Sequence, residues 1–286
     1  MTTKIRGSAH QTESIPLKSI FDIDFATLYK SHAAESIRQP KTPEDWDERA
    51  DRMRSGSGCT KEGYIDAFLS RMDLNAGDTL LDVGCGGGTV CLAAAPYVQK
   101  VIGFDYSPKM LEVLQERADE LNISNYQTIL KSWNDDWHDV PECDICVSSR
   151  SSMVEDLEDA LAKLNSKARK AVYMTMTVEK DFINREVLQA IGRDSVGFPT
   201  YIYAVNMLYQ QGYRVSVDFI ETNHQVSTRT ITNVEEFITA VEWSIGTLNE
   251  AERSELKIYY DAHSNEIPKV YSDTRAWAFL SWKTAR

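Results

Sequence analysis

The sequence predicts an α/β protein built around a mostly parallel sheet. Three observations carry that expectation. From residue 78 onward, short apolar segments alternate with helical ones, the pattern of βαβ units. The first of those strands runs straight into a glycine-rich turn and a helix, at Leu80-Leu81-Asp82-Val83-Gly84-Cys85-Gly86-Gly87-Gly88. The 286 residues, 42% hydrophobic and 26% charged, also supply enough apolar side chains for a large core without disulfides or a metal. This length suits one large α/β domain with additions, or two small domains.

Residues 1–18 are polar and without period, and a loose tail is expected there. A helix is expected over 21–36, broken by Gln39-Pro40-Lys41. Thr42-Pro43-Glu44-Asp45 starts another: Thr42 can cap it, Pro43 fits the first helical position, and acids suit the first turn. It runs through Trp46 and Met53 to Ser55-Gly56-Ser57-Gly58. A helix near 60–71 leads to strands at 79–83, 100–104, 126–130, 144–148 and 171–177, with helices near 88–97, 107–121 and 154–167 between them. The helix at 107–121 is the clearest, with Ser107 and Pro108 opening it and Met110, Leu111, Leu114, Ala118 and Leu121 at helical spacing. Beyond 177 come helices near 181–191 and 200–211, the second stopping at Gly212, and a strand at 213–221. Thr232…Glu235 and Thr247…Glu250 fit the capping-box pattern of two more helices, and a last strand covers 274–282.

The 31 Lys and Arg against 43 Asp and Glu leave a formal charge of −12. An acidic surface repels phosphate backbones, so RNA or DNA is not the expected substrate. No stretch approaches the ~20 apolar residues of a spanning helix. The N-terminus lacks the apolar core of a secretory signal, so a cytoplasmic protein is expected. Five cysteines, an odd number, agree with a reducing compartment.

The glycine turn is where chemistry is expected, because glycine lets a ligand approach the backbone with no Cβ in the way. The dinucleotide fingerprint G-x-G-x-x-G fails in both frames, its third glycine falling on Thr89 or on Cys91. What fits is D-x-G-x-G-x-G at Asp82, Gly84, Gly86 and Gly88, with Asp105 at the end of the next strand (KVIGFDYSPKML). This combination resembles motif I and its acidic partner in class I S-adenosylmethionine-dependent methyltransferases, of the small-molecule, methyltransferase type 11/25 kind. The resemblance covers roughly residues 60–180. It implies a Rossmann-like seven-stranded, mostly parallel sheet whose last strand is antiparallel, the segments 213–221 and 274–282 forming the terminal hairpin. It implies S-adenosylmethionine as cofactor and S-adenosylhomocysteine as product.

By that resemblance Asp105 takes the ribose hydroxyls and Tyr106 packs on the adenine. Asp82, Gly84, Gly86, Cys85 through its backbone, and Met110 of the helix start Ser107-Pro108-Lys109-Met110 complete the loop contacts. The third strand ends at Lys131-Ser132-Trp133, where the family has an acid for the adenine amino group. Ser132 departs from that, leaving the adenine to Ser132, Trp133 or backbone groups. The fourth strand resembles motif IV, which puts Ser149 beside the methionine part. Independently of any family, Gly84, Asp105, Ser132 and Ser149 all fall at or just past strand ends, where open parallel sheets bind their ligands.

Other residues carry a choice between chemistry and packing. Arg150 follows the fourth strand and would suit a carboxylate or phosphate on an acceptor. Tyr29 and Trp46 in the N-terminal segment, and Tyr201 and Tyr203 in an aromatic helix, are candidate acceptor contacts that would otherwise pack the core. Cys143 and Cys146 lie on a strand, where residues three apart face opposite sides, so buried thiols are expected there. The histidines at 10, 32, 138, 224 and 263 have no ligand spacing, so no metal is expected, and His32 is the one to consider as a base. The chain is expected to divide into a tail and helical cap at 1–60 and a methyltransferase domain at 61–286 with a lid-like insertion near 222–272. The expected function is methyl transfer to a small molecule enclosed under that lid, with no dedicated catalytic residue assigned. The alternatives are an NAD(P)-dependent oxidoreductase and a non-catalytic S-adenosylmethionine-binding protein.

Overall fold

The computed structural model describes residues 19–36, 39–54, 63–193, 196–223, 231–263, 270 and 274–284. The tail at 1–18, the Ser-Gly stretch at 55–58, His10 and His224 lie outside them.

Strands buried on both faces read as continuous apolar runs, and β1 (Thr79–Val83) is such a run, flanked in parallel by β2 (Lys100–Asp105) and β4 (Cys143–Ser149). β3 (Tyr126–Leu130) lies outside β2 and β5 (Ala168–Thr177) outside β4, also parallel. β7 (Thr274–Lys283) enters antiparallel between β5 and β6 (Ser216–Asn223), and the order is β3-β2-β1-β4-β5-β7-β6. The expected Rossmann-like sheet with its antiparallel last strand is therefore present. From β1 the chain winds outward through β2 and β3 on one side and crosses back to β4 and β5 on the other, so the loops at the carboxyl ends part there and leave a crevice.

Alternation along the strands divides the core between the two faces. Leu81, Val83, Ile102 and Phe104 meet Leu157, Leu161 and Leu164 of α6 (Leu157–Lys167) on one face. Leu80, Val101, Ile145 and Val147 meet α3 (Tyr64–Leu69) and α5 (Pro108–Glu120) on the other. α1 (Phe25–Ala34) packs on α6 and α8 (Tyr201–Gln210). α2 (Pro43–Arg52) lies on α5, with Trp46, Ala50 and Met53 against Met110 and Val113. α4 (Cys91–Ala94) follows the glycine turn. A third core, separate from the sheet, joins α7 (Arg185–Ala190), α9 (Val234–Ile245) and α10 (Glu250–Ala262) through Val187, Phe237, Val241 and Leu256.

Several local expectations are corrected. The helix expected over 88–97 is only the four residues of α4 and a 3₁₀ turn at Ala95–Tyr97, because Pro96 cannot continue an α-helical ladder. The helix expected over 21–36 splits into a 3₁₀ turn at Ile20–Asp22 and α1, which Asp24 caps by accepting the Thr27 N–H at 2.9 Å. The caps of α9 and α10 are Asn233 and Asn249 rather than Thr232 and Thr247, in keeping with the stronger N-cap preference of asparagine. Cys143 and Cys146 share one core cluster instead of facing opposite sides, because the β4–β5 register shifts between Cys143 and Ile145. Both thiols, with those of Cys85 and Cys91, are free and buried. Among the described residues no helix is long and apolar enough to cross a membrane, and no group of three or more His, Cys, Asp or Glu could hold a metal ion.

Candidate active site

The turn after β1 is held to the neighbouring strand: the N–H groups of Gly84 and Cys85 both donate to the Phe104 carbonyl, at 2.7 and 3.0 Å. Two of its glycines answer different needs. Gly84 has φ +71°, and a Cβ there would stand 2.3 Å from the Cβ of Ser151, so protein packing excludes any side chain. Gly86 has φ +53°, and a Cβ there would meet only the Met110 sulfur, at 3.9 Å. The turn is therefore packed at Gly84 and open at Gly86, and the opening suits a ligand lying along the backbone.

Two buried carboxylates flank that opening. Asp105 Oδ2 accepts the Gly86 N–H at 2.8 Å and Oδ1 accepts the Ser107 N–H at 2.9 Å, which ties the turn to the start of α5. Burial pushes its pKa up, and the two backbone N–H groups pull against that. Asp82 Oδ2 accepts the Cys91 N–H at 3.1 Å, whereas Oδ1 is buried with no hydrogen-bond partner. Burial raises the Asp82 pKa to about 7, and the negative charge of Asp105 adds to the rise. A buried carboxylate oxygen without a donor is costly. A cationic or N–H-bearing ligand in the crevice would relieve it, and the ammonium of S-adenosylmethionine has that chemistry. The open Gly86 backbone and the unmet Asp82 oxygen both fit this cofactor.

The other expected cofactor residues have partners of their own. The Tyr106 hydroxyl donates to the Lys41 carbonyl at 3.0 Å, and Met110 in the first turn of α5 is buried against α2. Trp133 stacks on Trp137 with centroids 5.3 Å apart and donates from Nε1 to the Ser151 carbonyl at 3.1 Å. Ser132, at the position where an acid was expected, receives one from further on: its N–H donates to Asp135 Oδ2 at 2.7 Å. Ser149 Oγ shares a hydrogen bond with the Tyr64 hydroxyl at 2.8 Å, and that hydroxyl reaches Thr175 Oγ1 at 2.9 Å. Arg150 sits at φ +56° with its N–H donating to Thr175 Oγ1 at 3.0 Å.

The expected acceptor residues do not form one group. Tyr29 is buried, and its hydroxyl donates to the Val154 carbonyl at 2.6 Å, so it fixes the loop after β4 to α1. Tyr203 lies edge-on to Tyr29 at 5.6 Å, and its hydroxyl hydrogen-bonds His32 Nδ1 at 2.9 Å. His32 Nε2 is buried and unpartnered. Tyr201 packs against Phe219 of the edge strand at 5.7 Å. Trp46 meets Trp243 of α9 edge-on at 5.8 Å, and Lys41 and Arg49 lie over the Trp243 ring at 4.6 and 5.2 Å.

Three participants escaped sequence reasoning. Ser151 fills the space above Gly84 and donates to the Val83 carbonyl at 2.7 Å. Tyr64 links three segments, and Asp47 of α2 accepts the Ser107 hydroxyl at 2.6 Å and the Lys109 N–H at 3.2 Å. Ser151 stood in a serine-rich run next to a motif and was within reach of inference. Tyr64 and Asp47 stand in helices whose periodicity carries no sign of what they touch.

A family of proteins described as a methyltransferase domain matches residues 74–194. An uncharacterised protein of Haemophilus influenzae is 35% identical over 268 residues, which span 94% of this chain and 99% of that one. A probable cobalt-precorrin-6B C(15)-methyltransferase (decarboxylating) of Methanocaldococcus jannaschii is 33% identical over 76 residues, 27% of this chain and 42% of the relative. The solved structure of YcgJ from Bacillus subtilis shares the fold, with a TM-score of 0.52 at 13% identity over 77% of this chain and 97% of its own. With Thr89 and Cys91 where the dinucleotide fingerprint needs glycine, the NAD(P) alternative falls away. The chain belongs to the class I S-adenosylmethionine-dependent methyltransferases, and S-adenosylmethionine is its cofactor.

Proposed function

We propose that this methyltransferase acts on a small molecule enclosed between the N-terminal cap and the insertion before β7. One observation carries the proposal: the two added segments meet each other, Trp46 of α2 against Trp243 of α9, while α2 lies on the start of α5 beside the cofactor turn. A lid of this kind shields a reacting centre from water and leaves little room for a polymer. In this reading residues up to about 60 form the cap and the stretch near 222–272 is the lid-like insertion, in keeping with the separate core that α9 and α10 share with α7.

When bound, S-adenosylmethionine supplies an electrophilic methyl on a sulfonium. The chain's part is binding, orientation and desolvation, which lower the barrier to an in-line displacement by several kcal/mol, of order 7 or more at best. Asp105 holds the turn against α5 and would take the ribose, Gly86 would let the cofactor lie along the backbone, and Asp82 Oδ1 would offer a lone pair to the ammonium. Gly84 and Cys85 line the turn, Tyr106, Met110, Ser132 and Trp133 would border the adenine, and Ser149 would border the methionine part. Among the candidate acceptor contacts, the protein partners of Tyr29 (Val154), Tyr203 (His32) and Tyr201 (Phe219) favour a supporting role, whereas Trp46 and Arg150 are the acceptor contacts of this reading.

The test is transfer from methyl-tritiated S-adenosylmethionine into separated pools of small metabolites, RNA and protein. Label in the dialysable pool is the expected result. Label confined to RNA or protein would overturn the enclosed-acceptor reading and leave the methyltransferase assignment standing.

A further inference from the structure

Arg150 is held in an unusual backbone state. Its φ of +56° is left-handed, which a side chain with a Cβ adopts only under constraint. The constraints are visible on both sides. Ser149 is tied through its hydroxyl to Tyr64, the Arg150 N–H is tied to Thr175, and Ser151 is tied to Val83 and wedged over Gly84. The other non-glycine residue with positive φ, Asn122, is of a type that tolerates it and closes an ordinary helix end after α5.

The side chain that this turn presents is exposed and stacked. The Arg150 guanidinium lies over the buried Tyr64 ring at 4.4 Å, and it has no hydrogen bond or carboxylate partner among the described residues. Elsewhere in this acidic chain arginines find acids readily: Arg54, Arg71, Arg169, Arg185, Arg193 and Arg253 all form ion pairs. Stacking occupies the face of the guanidinium and leaves its edge, a planar fork of N–H donors matched to a carboxylate.

We propose that Arg150 reads a carboxylate on the methyl acceptor, so that the substrate class is a small organic acid anchored at the carboxyl end of β4. The inference rests on the enclosed small-molecule reading above. Tyr64 is the platform: its hydroxyl is fixed by Ser149 and Thr175, so the ring that supports the guanidinium cannot swing away. With an overall charge of −12, long-range attraction does not draw an anion here, so the local fork of donors carries the recognition of a bidentate anion.

The experiment uses the full chain saturated with S-adenosylhomocysteine and titrates in benzoate, with neutral benzamide as the control, by calorimetry or saturation-transfer NMR. Benzoate is expected to bind better than benzamide. Arg150→Ala should weaken benzoate about tenfold or more, and Arg150→Lys, which keeps the charge without the fork, should fall between. Thermal unfolding of each variant confirms that it is folded, and Arg150→Lys remains informative if Arg150→Ala is not. If benzoate and benzamide bind alike to wild type and variant, the pocket exists and Arg150 does not read the anion. If neither probe binds, the enclosed-acceptor reading fails together with this one. If Arg150→Ala instead weakens S-adenosylhomocysteine itself, but not 5′-methylthioadenosine, the carboxylate read is the cofactor's own and the acceptor assignment is overturned.

Discussion

The carboxyl ends of β1 and β2 and the carboxyl ends of β4 and β5 form two halves of one crevice, built in different ways. The first half is local. Asp82, Gly84, Gly86, Asp105 and Ser107 lie within 26 positions, and their bonds run between backbone and carboxylate. The second half is assembled from afar: Tyr64 bonds Ser149 across 85 positions and Thr175 across 111. The difference matches the chemistry. A cofactor that never varies suits a short rigid turn, whereas the proposed acceptor side draws on side chains from α3, β4 and β5 that can change without disturbing the turn.

The comparison can be broken most directly at Asp105. Asp105→Ala should reduce S-adenosylhomocysteine affinity by about a hundredfold or more, because it removes the partner of two buried N–H groups as well as the ribose contact. Calorimetry measures this. Unchanged affinity would mean that the local half is not the cofactor half. Next in size is Gly84→Ala. It sets a Cβ on that of Ser151 in a left-handed backbone, and a stability loss of about 3 kcal/mol is expected from chemical denaturation. Adding Ser151→Gly should restore part of it, leaving the backbone strain.

Asp82 sharpens the contrast through pH. Its folded pKa, raised to about 7 by burial, exceeds the ordinary value of 3.8, so the folded state holds the proton more tightly than the unfolded chain. Stability from this group is complete below the ordinary value and is lost as pH rises through about 7. Asp82→Asn should flatten that loss in the cofactor-free protein, a difference of ~2–4 kcal/mol at high pH, while weakening S-adenosylhomocysteine. Denaturation curves across the range check the first part. A variant that binds the ligand as well as wild type would show that Oδ1 does not face it. The smallest effect belongs to the proposed lid. Trp243→Ala removes the aromatic contact with Trp46 and the two cations over its ring, about 1–2 kcal/mol in all. Stopped-flow release of S-adenosylhomocysteine should quicken by roughly tenfold. An unchanged rate would separate the insertion from the cofactor half.

Legibility follows the same division. The central strands β1, β2, β4 and β5 were readable because buried strands are apolar by necessity, and the Gly84–Gly88 turn because a ligand-facing backbone needs glycine. The cap of α5 was equally plain, since Ser107 bonds within its own turn, to the Met110 N–H at 3.1 Å. The sidedness of Cys143 and Cys146 was not, because a bulge depends on the partner strand. The cap positions of α9 and α10 were missed by one or two residues, where threonine and asparagine compete for neighbouring turns.

The sequence by itself determined the sheet, the cofactor turn and the two acids at its rim, since each is specified by residues that are neighbours in the chain or one strand apart. Only the tertiary structure decided that Ser151 closes the space above Gly84, that Asp82 keeps one oxygen unmet, that Tyr64 supports Arg150, and that Trp46 meets Trp243. Each of those depends on which distant surfaces the fold brings into contact. No pattern of neighbours encodes that, because packing acts between elements whose separation along the chain is arbitrary.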